Sequence, residues 1–310
     1  MNFYKKILRS QDLRKKVFHL FDFVPDKMMV KIQYKLKTGN KLNLKNPQRY
    51  TEKLQWYKLF YRNPLLTKCS DKYHVREYVE EKGLGFLLND LYGYYTKAED
   101  IDFDALPNEF VIKSTTGSGN NIIVKDKSEL DIEETKKRLS KWLELGDETD
   151  GKSIGREWCY DNVKPALIVE KFLGRDKNGD LPDYKFFCFD GRVYCLYVMV
   201  NYTDNHETGQ IGFYDENFNK LPFCRVDYRD IDFDIEKPKN FEKMVEYAKI
   251  LSKDFPHVRV DFYDLDGDIT FGELTFYNAS GYTKFNPDSA DYEMGKQFIL
   301  PKDDSYTKEY

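Results

Sequence analysis

The chain of 310 residues is 41% hydrophobic and 16% aromatic, with 24 Tyr and 23 Phe, which excludes wholesale disorder and suffices for two compact units or one larger lobed unit. No apolar run approaches the roughly 18 residues of a membrane span, and no secretory leader opens the chain, so a cytoplasmic protein is expected. Five cysteines (Cys69, Cys159, Cys188, Cys195, Cys224) form no C-x-x-C pair, which argues against a zinc or disulfide framework.

The net charge of -4 is unevenly spread: residues 1–53 hold 14 Lys/Arg against 4 Asp/Glu, leaving -14 for the rest. A basic end on an acidic body fits contact with a membrane face, a lipid-linked glycan or an acidic glycan. A solvated helix face accounts for it equally. Nucleic acid is not expected.

The first 60 or so residues read as helices. Phe3, Ile7, Leu8, Leu13, Val17, Leu20 and Phe21 recur at helical spacing among Lys5, Lys6, Arg9, Arg14, Lys15 and Lys16. Such a helix fits a membrane surface, and packing on the body of the protein fits as well. Pro47 and Thr51 mark a second start, with Leu54, Tyr57, Phe60 and Tyr61 as its apolar side. A third helix is expected from Asp71 to about Gly83. Next come a strand, FVIK (Phe110–Lys113), a glycine-containing loop, STTGSGNN, and a second strand, IIV (Ile122–Val124). Residues 128–145 read as helix, with Ser128 and Asp131 as a capping-box variant and Gly146 at the C-terminal cap. ALIVEKFL (Ala166–Leu173) is a buried run, and DYKFFCF and VYCLYVMV flank a hairpin turn at Asp190-Gly191. Residues 240–253 read as helix, residues 257–276 as a hairpin turning at Asp266-Gly267, and a polar segment follows Gly281.

Two stretches carry chemistry. Gly117 and Gly119, with Ser114, Thr116 and Ser118, offer backbone and hydroxyl donors to phosphate oxygens. The loop lacks the Walker A pattern and is followed by a strand, so a flap over ATP and an ordinary hairpin loop both remain open. Lys113 ends the strand before it, where it points an ammonium at a triphosphate or simply snorkels to solvent. Arg259 and Asp261 share one face of a strand, and Glu273 lies on the returning strand. Two carboxylates and an arginine make a hard-oxygen site for Mg²⁺ beside a cation for an anionic substrate; a purely structural ion network is the alternative. The run DLDGD fails as a calcium loop, because glycine stands at position four. It matches the D-x-D metal motif only briefly, which leaves an acidic turn. Glu170, with Phe172 and Leu173, fits an adenine-reading segment or plain strand termination. Lys185 is a further cation for phosphate. The histidines His19, His74, His206 and His257 lack metal-ligand spacing.

The stretches NPQRYTEKLQWYKLFYRNP, SDKYHVREYVEEKG, PNEFVIKSTTGSGNNIIV, VEKFL, LPDYKFFCFDGRV and VRVDFYDLDGDITFGELTF, from about residue 46 to 300, resemble the TupA-like branch of the ATP-grasp superfamily. The resemblance implies an α+β ATP-grasp fold, two lobes clamping ATP, with an N-terminal helical extension. It also implies ATP and Mg²⁺ as cofactors and carboxylate–amine ligation in surface-polysaccharide synthesis. Carried over residue by residue, Lys72 and Lys113 hold phosphates, Gly117 and Gly119 form the flap with Ser114 and Ser118, and Glu170, Lys171, Phe172 and Leu173 surround adenine. Asp183 reaches the ribose, Lys185 the phosphates, Asp261 and Glu273 bind Mg²⁺, and Arg259 stabilises the oxyanion. Where many relatives read E-x-N, this chain reads Glu273-Leu-Thr275, which makes Asn278 the candidate third metal ligand.

The expected division is a basic helical region at 1–60, a pre-ATP-grasp segment at 61–108, an N-terminal lobe at 109–173 and a C-terminal lobe at 174–310. The expected substrates are a uronic-acid carboxylate on a capsule or cell-wall glycan and an amino acid or other amine, handled in the cytoplasm at the inner membrane face. An ATP-grasp kinase acting on a sugar hydroxyl, a metal-dependent glycosyltransferase and a non-catalytic scaffold remain as rivals.

Overall fold

Alternating strand patterns and helical patterns separate along this chain, and the fold follows them. The computed structural model describes residues 21–117, 119–147, 153–161, 163–176, 179–202 and 208–309. The helix signals from Phe3 to Leu20, the loop residue Ser118, and His19 and His206 lie outside the described residues.

In chain order the elements are α1 (Asp26–Thr38), α2 (Tyr50–Phe60), α3 (Leu65–Ser70), α4 (Val75–Glu81), β1 (Leu91–Tyr95), β2 (Phe110–Ser114), β3 (Asn121–Val124), α5 (Ile132–Asp147) and β4 (Leu167–Lys171). Then come β5 (Asp183–Phe189), β6 (Arg192–Val200), β7 (Gln210–Asp215), β8 (Cys224–Arg225), β9 (Arg229–Asp230), α6 (Phe241–Ser252), β10 (His257–Leu265), β11 (Asp268–Thr275), β12 (Phe285–Asn286) and α7 (Ser289–Gln297). They form two compact units, Met1–Lys41 with Leu91–Phe172 and Leu42–Asp90 with Leu173–Tyr310.

The first unit is built on an antiparallel sheet ordered β1-β4-β2-β3. Its core gathers Phe110, Ile112, Leu167 and Val169 from one sheet face with Phe103 and Leu139, while Trp142 and Leu143 of α5 pack against it. The helix expected at residue 128 begins later. Ser128 donates to Asp126 Oδ1 in a short turn, and Asp131 Oδ1 accepts the Glu134 N–H at 2.9 Å, so Asp131 caps α5 and Ser128 does not. The helix also continues through Gly146. β1 was not expected from sequence, because Gly93 interrupts its alternation at a register shift.

The second unit carries a six-stranded sheet ordered β11-β10-β5-β6-β7-β9, antiparallel except where β7 meets β9, and the small pair β8–β12. α6 covers one face, with Phe241 against Phe186 at a ring separation of 6.0 Å. α2 covers part of the other through Tyr50, which touches Phe187 and Phe189 and reaches His257 Nε2 at 3.0 Å. Ten residues of α2 are buried, including Gln55 and Lys58, so it is a core helix and not the one-sided helix expected. Thr51 is not its cap: its hydroxyl donates to Asp291 Oδ2 of α7 at 2.7 Å. The third expected helix is likewise shorter, because Asp71 Oδ1 accepts the N–H groups of Tyr73 and His74 and folds that stretch as a turn before α4. Both Asp-Gly hairpin turns are present with positive φ, at Asp190-Gly191 and Asp266-Gly267.

Candidate active site

On the four-stranded sheet, antiparallel register sets Val111 opposite Glu170 and Lys113 opposite Ile168. Lys113 and Glu170 therefore share the face turned away from Phe110 and Ile112, and Lys113 Nζ donates to Glu170 Oε2 at 2.8 Å. Lys171 pairs opposite Phe110, on the other face from Glu170, and is exposed. Phe172 follows, half-buried. The hairpin loop closes through Ser114, whose N–H donates to Asn120 O at 3.1 Å. Gly117 and Gly119 hold φ of 73° and 83°, and a Cβ at either meets nothing within 4 Å. Backbone conformation and not lack of room calls for glycine there. Among the described residues the Thr115 hydroxyl at the base of the loop is buried without a hydrogen-bond partner, a polar atom the sequence reading did not single out.

The second set lies on the six-stranded sheet. Register pairs Lys185 with Asp261, Asp183 with Tyr263, Asp261 with Glu273 and Arg259 with Thr275, so alternate residues of β5, β10 and β11 present one charged surface. Arg259 grips Asp261 with two bonds, Nε to Oδ1 at 2.7 Å and Nη2 to Oδ2 at 2.6 Å. Its Nη2 also reaches Glu273 Oε1 at 3.1 Å and Thr275 Oγ1 at 3.0 Å, and its Nη1 donates to Asn278 Oδ1. Lys185 Nζ lies 2.6 Å from Asp261 Oδ2 and also contacts Asp183. Of the expected residues, this surface joins Asp183, Lys185, Arg259, Asp261, Glu273 and Asn278. Lys113, Glu170 and Gly117 belong to the other unit.

A bulge makes the pairing possible. Gly272 is the extra residue of β11 between the pairs Asp261–Glu273 and Phe262–Phe271. A Cβ there would sit 3.1 Å from the Asp261 carbonyl oxygen, so glycine lets the strands close behind the carboxylates.

Burial raises the energy of every charge here, and the partners decide which survive. Burial disfavours charge on Arg259 and Lys185, yet Asp261 keeps the first protonated and Asp183 with Asp261 the second. Burial also opposes ionised Glu273, but Arg259, Lys185 and Lys72 outweigh it and hold its carboxyl at about 2. Lys72, in the turn before α4, thus contributes its field to this same surface. For Asp183 burial wins: its carboxyl rises to about 6 despite Lys185, with Asp261 adding to the rise.

Hard carboxylate oxygens suit Mg²⁺, which commonly takes one or two carboxylates together with substrate phosphates. Among the described residues Asp183 Oδ1 is buried without a donor and Asn278 Nδ2 without an acceptor. The unsatisfied Asp183 oxygen, which shares Lys185 with Asp261, fits a cation supplied with its ligand. Among the described residues no three His, Cys, Asp or Glu side chains form a complete protein-only cage.

Sequence reading missed the support behind Asn278. Ala279 and Ser280 take left-handed φ of 47° and 54°, which costs L-residues on the order of 1 kcal/mol or more each. Gln55 Nε2 donates to the carbonyls of Ser280 and Gly281 at 3.0 and 2.8 Å, and Lys58 Nζ to Ser280 O at 2.9 Å. Gln55 and Lys58, set among the large apolar residues of LQWYKLF, were the available signal. The DLDGD run proves to be a turn, since Asp264 Oδ1 accepts the Gly267 N–H at 2.9 Å. His257 is buried between Cys188 O and Tyr50, and burial lowers it to about 3, so it stays neutral.

Residues 52–299 match the family model described as TupA-like ATPgrasp. No curated protein matches the chain in sequence. Among solved structures it is similar to the D-alanine–D-alanine ligase from Bacillus anthracis, at 19% identity over 77% of this chain and 70% of that one, with a TM-score of 0.44. It is similar also to the ATP-grasp ligase PsnB, with 14% identity, 73% and 57% coverage and a TM-score of 0.39. For D-cycloserine synthetase DcsG the values are 14%, 76%, 70% and 0.40. The family match carries the assignment, not these distant likenesses. No described helix is long and apolar enough to cross a membrane. The chain belongs to the TupA-like ATPgrasp family and is an ATP-dependent ligase of the α+β ATP-grasp fold, with ATP as its cofactor.

Proposed function

We propose that this ligase joins a carboxylate to an amine through an acyl phosphate, and that the carboxylate belongs to a uronic acid of a bacterial capsule or cell-wall polysaccharide. The observation that carries the chemistry is Arg259, a buried guanidinium held in place by Asp261 and Glu273 at the head of a charged surface.

A carboxylate cannot expel oxide, so one of its oxygens first attacks the γ-phosphorus of ATP, and the bridging P–O bond breaks to release ADP. The amine nitrogen then attacks the acyl carbon, the C–O bond to phosphate breaks, and the nitrogen loses a proton as inorganic phosphate departs. Neither step needs a nucleophilic side chain; positioning and charge neutralisation suffice. Lys72, Lys113 and Lys185 neutralise phosphate charge in this reading, with Gly117, Ser118 and Gly119 as backbone donors. Glu170, Lys171, Phe172 and Leu173 surround adenine, and Asp183 meets the ribose. Asp261, Glu273 and Asn278 would hold Mg²⁺, which would supply charge neutralisation at the phosphates. Arg259 balances the tetrahedral oxyanion, a role in which loss of one donor commonly costs about 3 kcal/mol.

What supports a membrane-side acceptor is α1. Met28, Ile32 and Leu36 are exposed at i, i+4 and i+8, with Lys27, Lys31 and Lys35 one position before each. An apolar stripe edged by lysines suits an anionic lipid surface or a lipid-linked glycan. The test of the chemistry is hydroxylamine trapping. With ATP, Mg²⁺ and uronic acids, the enzyme should yield a hydroxamate in step with ADP. A phosphorylated sugar without hydroxamate would instead mark a kinase.

A further inference from the structure

A second buried arginine stands near Arg259 with no part in the cluster just described. Arg225 of β8 is 7% exposed, and its guanidinium carbon lies 5.9 Å from the Tyr197 ring centroid. Arg259 approaches the same ring at 5.8 Å and donates to its hydroxyl. The two guanidinium carbons are therefore at most about 12 Å apart, the sum of the two distances. Tyr228 adds an aromatic wall 4.9 Å from Arg225, and its phenol also feels the Lys185 ammonium. Arg225, Tyr228, Tyr197, Lys185 and Arg259 thus form one continuous part of the second unit.

The partner of Arg225 is unusual for so buried a cation. Asp227 accepts from Nε at 3.0 Å and from Nη2 at 2.6 Å, the two-pronged geometry a guanidinium offers any carboxylate. Yet the Asp227 side chain is 57% exposed, two residues along an irregular stretch, against 8% for Arg225. Among the described residues Arg225 Nη1 has no hydrogen-bond partner. The cation has already lost its water and depends on a carboxylate, while Asp227 is the half that water can release.

We propose that Arg225 is the receptor for a substrate carboxylate that the reaction does not consume, and that Asp227 occupies its place until that substrate arrives. This rests on the carboxylate–amine ligase reading, in which Arg259 serves the reacting carboxylate. A separation of up to about 12 Å lets one bound molecule, or the two joined substrates, touch both arginines. Two sources offer such a group: the α-carboxylate of an amino-acid amine, or a neighbouring uronate of the glycan.

The test is ligand-induced thermal stabilisation of the full chain, wild type against D227N, R225K and R225M. The probes are L-alanine with ethylamine as its uncharged-end control and D-glucuronate with glucose as its neutral control. MgATP is run in parallel. We expect one carboxylate probe to stabilise the wild type beyond its control, D227N to bind that probe several-fold more tightly, and R225M to lose the effect by tenfold or more. R225K should fall between them, since lysine keeps the charge and loses the two-pronged geometry. Stabilisation by L-alanine assigns the amine substrate, and by D-glucuronate the glycan. No difference between carboxylates and controls in D227N, an exposed change that leaves the core intact, overturns the proposal. So does a response that survives in R225M. If carboxylates bind as expected while MgATP has no effect, the ligase reading fails and the Arg225 site stands.

Discussion

Lys113 and Glu170 make one ion pair between neighbouring strands, with side chains 28% and 10% exposed. Arg259 and Asp261 are 8% and 1% exposed, and the arginine bonds to five different side chains. The first arrangement joins a partly exposed ammonium to a buried carboxylate, and in the proposed reading that ammonium turns to an arriving phosphate. The second fixes its charges before any ligand binds, which is what transition-state stabilisation demands, and cannot lose a member without stranding the others. One unit offers an adaptable contact and the other a preorganised one.

Breaking the preorganised half should have the largest effect. Arg259→Met leaves Asp261 and Glu273 without their main cation, and we expect a stability loss of about 3–5 kcal/mol in urea unfolding. Hydroxamate formation should fall by about 100-fold in whatever fraction stays folded. An unaltered unfolding midpoint would remove the contrast between the two regions.

A pH series sharpens the comparison next. Asp183 titrates at about 6 in the folded chain against 3.8 for an ordinary aspartate. The folded state therefore holds its proton more tightly. That contribution to stability is complete below about pH 4 and is lost as pH rises through about 6. The wild type should lose on the order of 2–3 kcal/mol relative to Asp183→Asn between pH 4 and 7. Glu273 runs the opposite way, losing its contribution only as pH falls from about 4.5 towards 2, so the two windows are separable. A flat difference between wild type and Asp183→Asn across pH 4–7 would show that burial does not govern this carboxyl.

The smallest structural effect belongs to Lys113→Met. Its stability cost should stay within about 1 kcal/mol, while MgATP affinity drops by roughly tenfold. A large stability loss with unchanged affinity would make the pair a structural device.

Much of this was legible from periodicity. The alternation in DYKFFCF and HVRVDFYDL put Lys185, Arg259 and Asp261 on defined strand faces, and the two Asp-Gly turns fixed the hairpins that carry them. Which strands become neighbours was not legible, because β5 meets β10 across an intervening helix and four other strands. Tyr197 and Thr275 meet on the charged surface only through that pairing. β7 and β9 also escaped sequence reading; β9 is two residues long, too short for a pattern. Gln55 and Lys58 sat in plain view within QWYKLF, but nothing local says that a lysine on a buried helix holds a strained turn 222 residues away.

The most direct measurement of the central claim is calorimetric binding of a non-hydrolysable ATP analogue with and without Mg²⁺, in the wild type and in Glu273→Gln. If Glu273 and Asp261 form the metal end of the nucleotide site, Mg²⁺ should tighten binding to the wild type at least tenfold, and most of that gain should vanish in the variant. An equal Mg²⁺ dependence in both proteins would contradict the account.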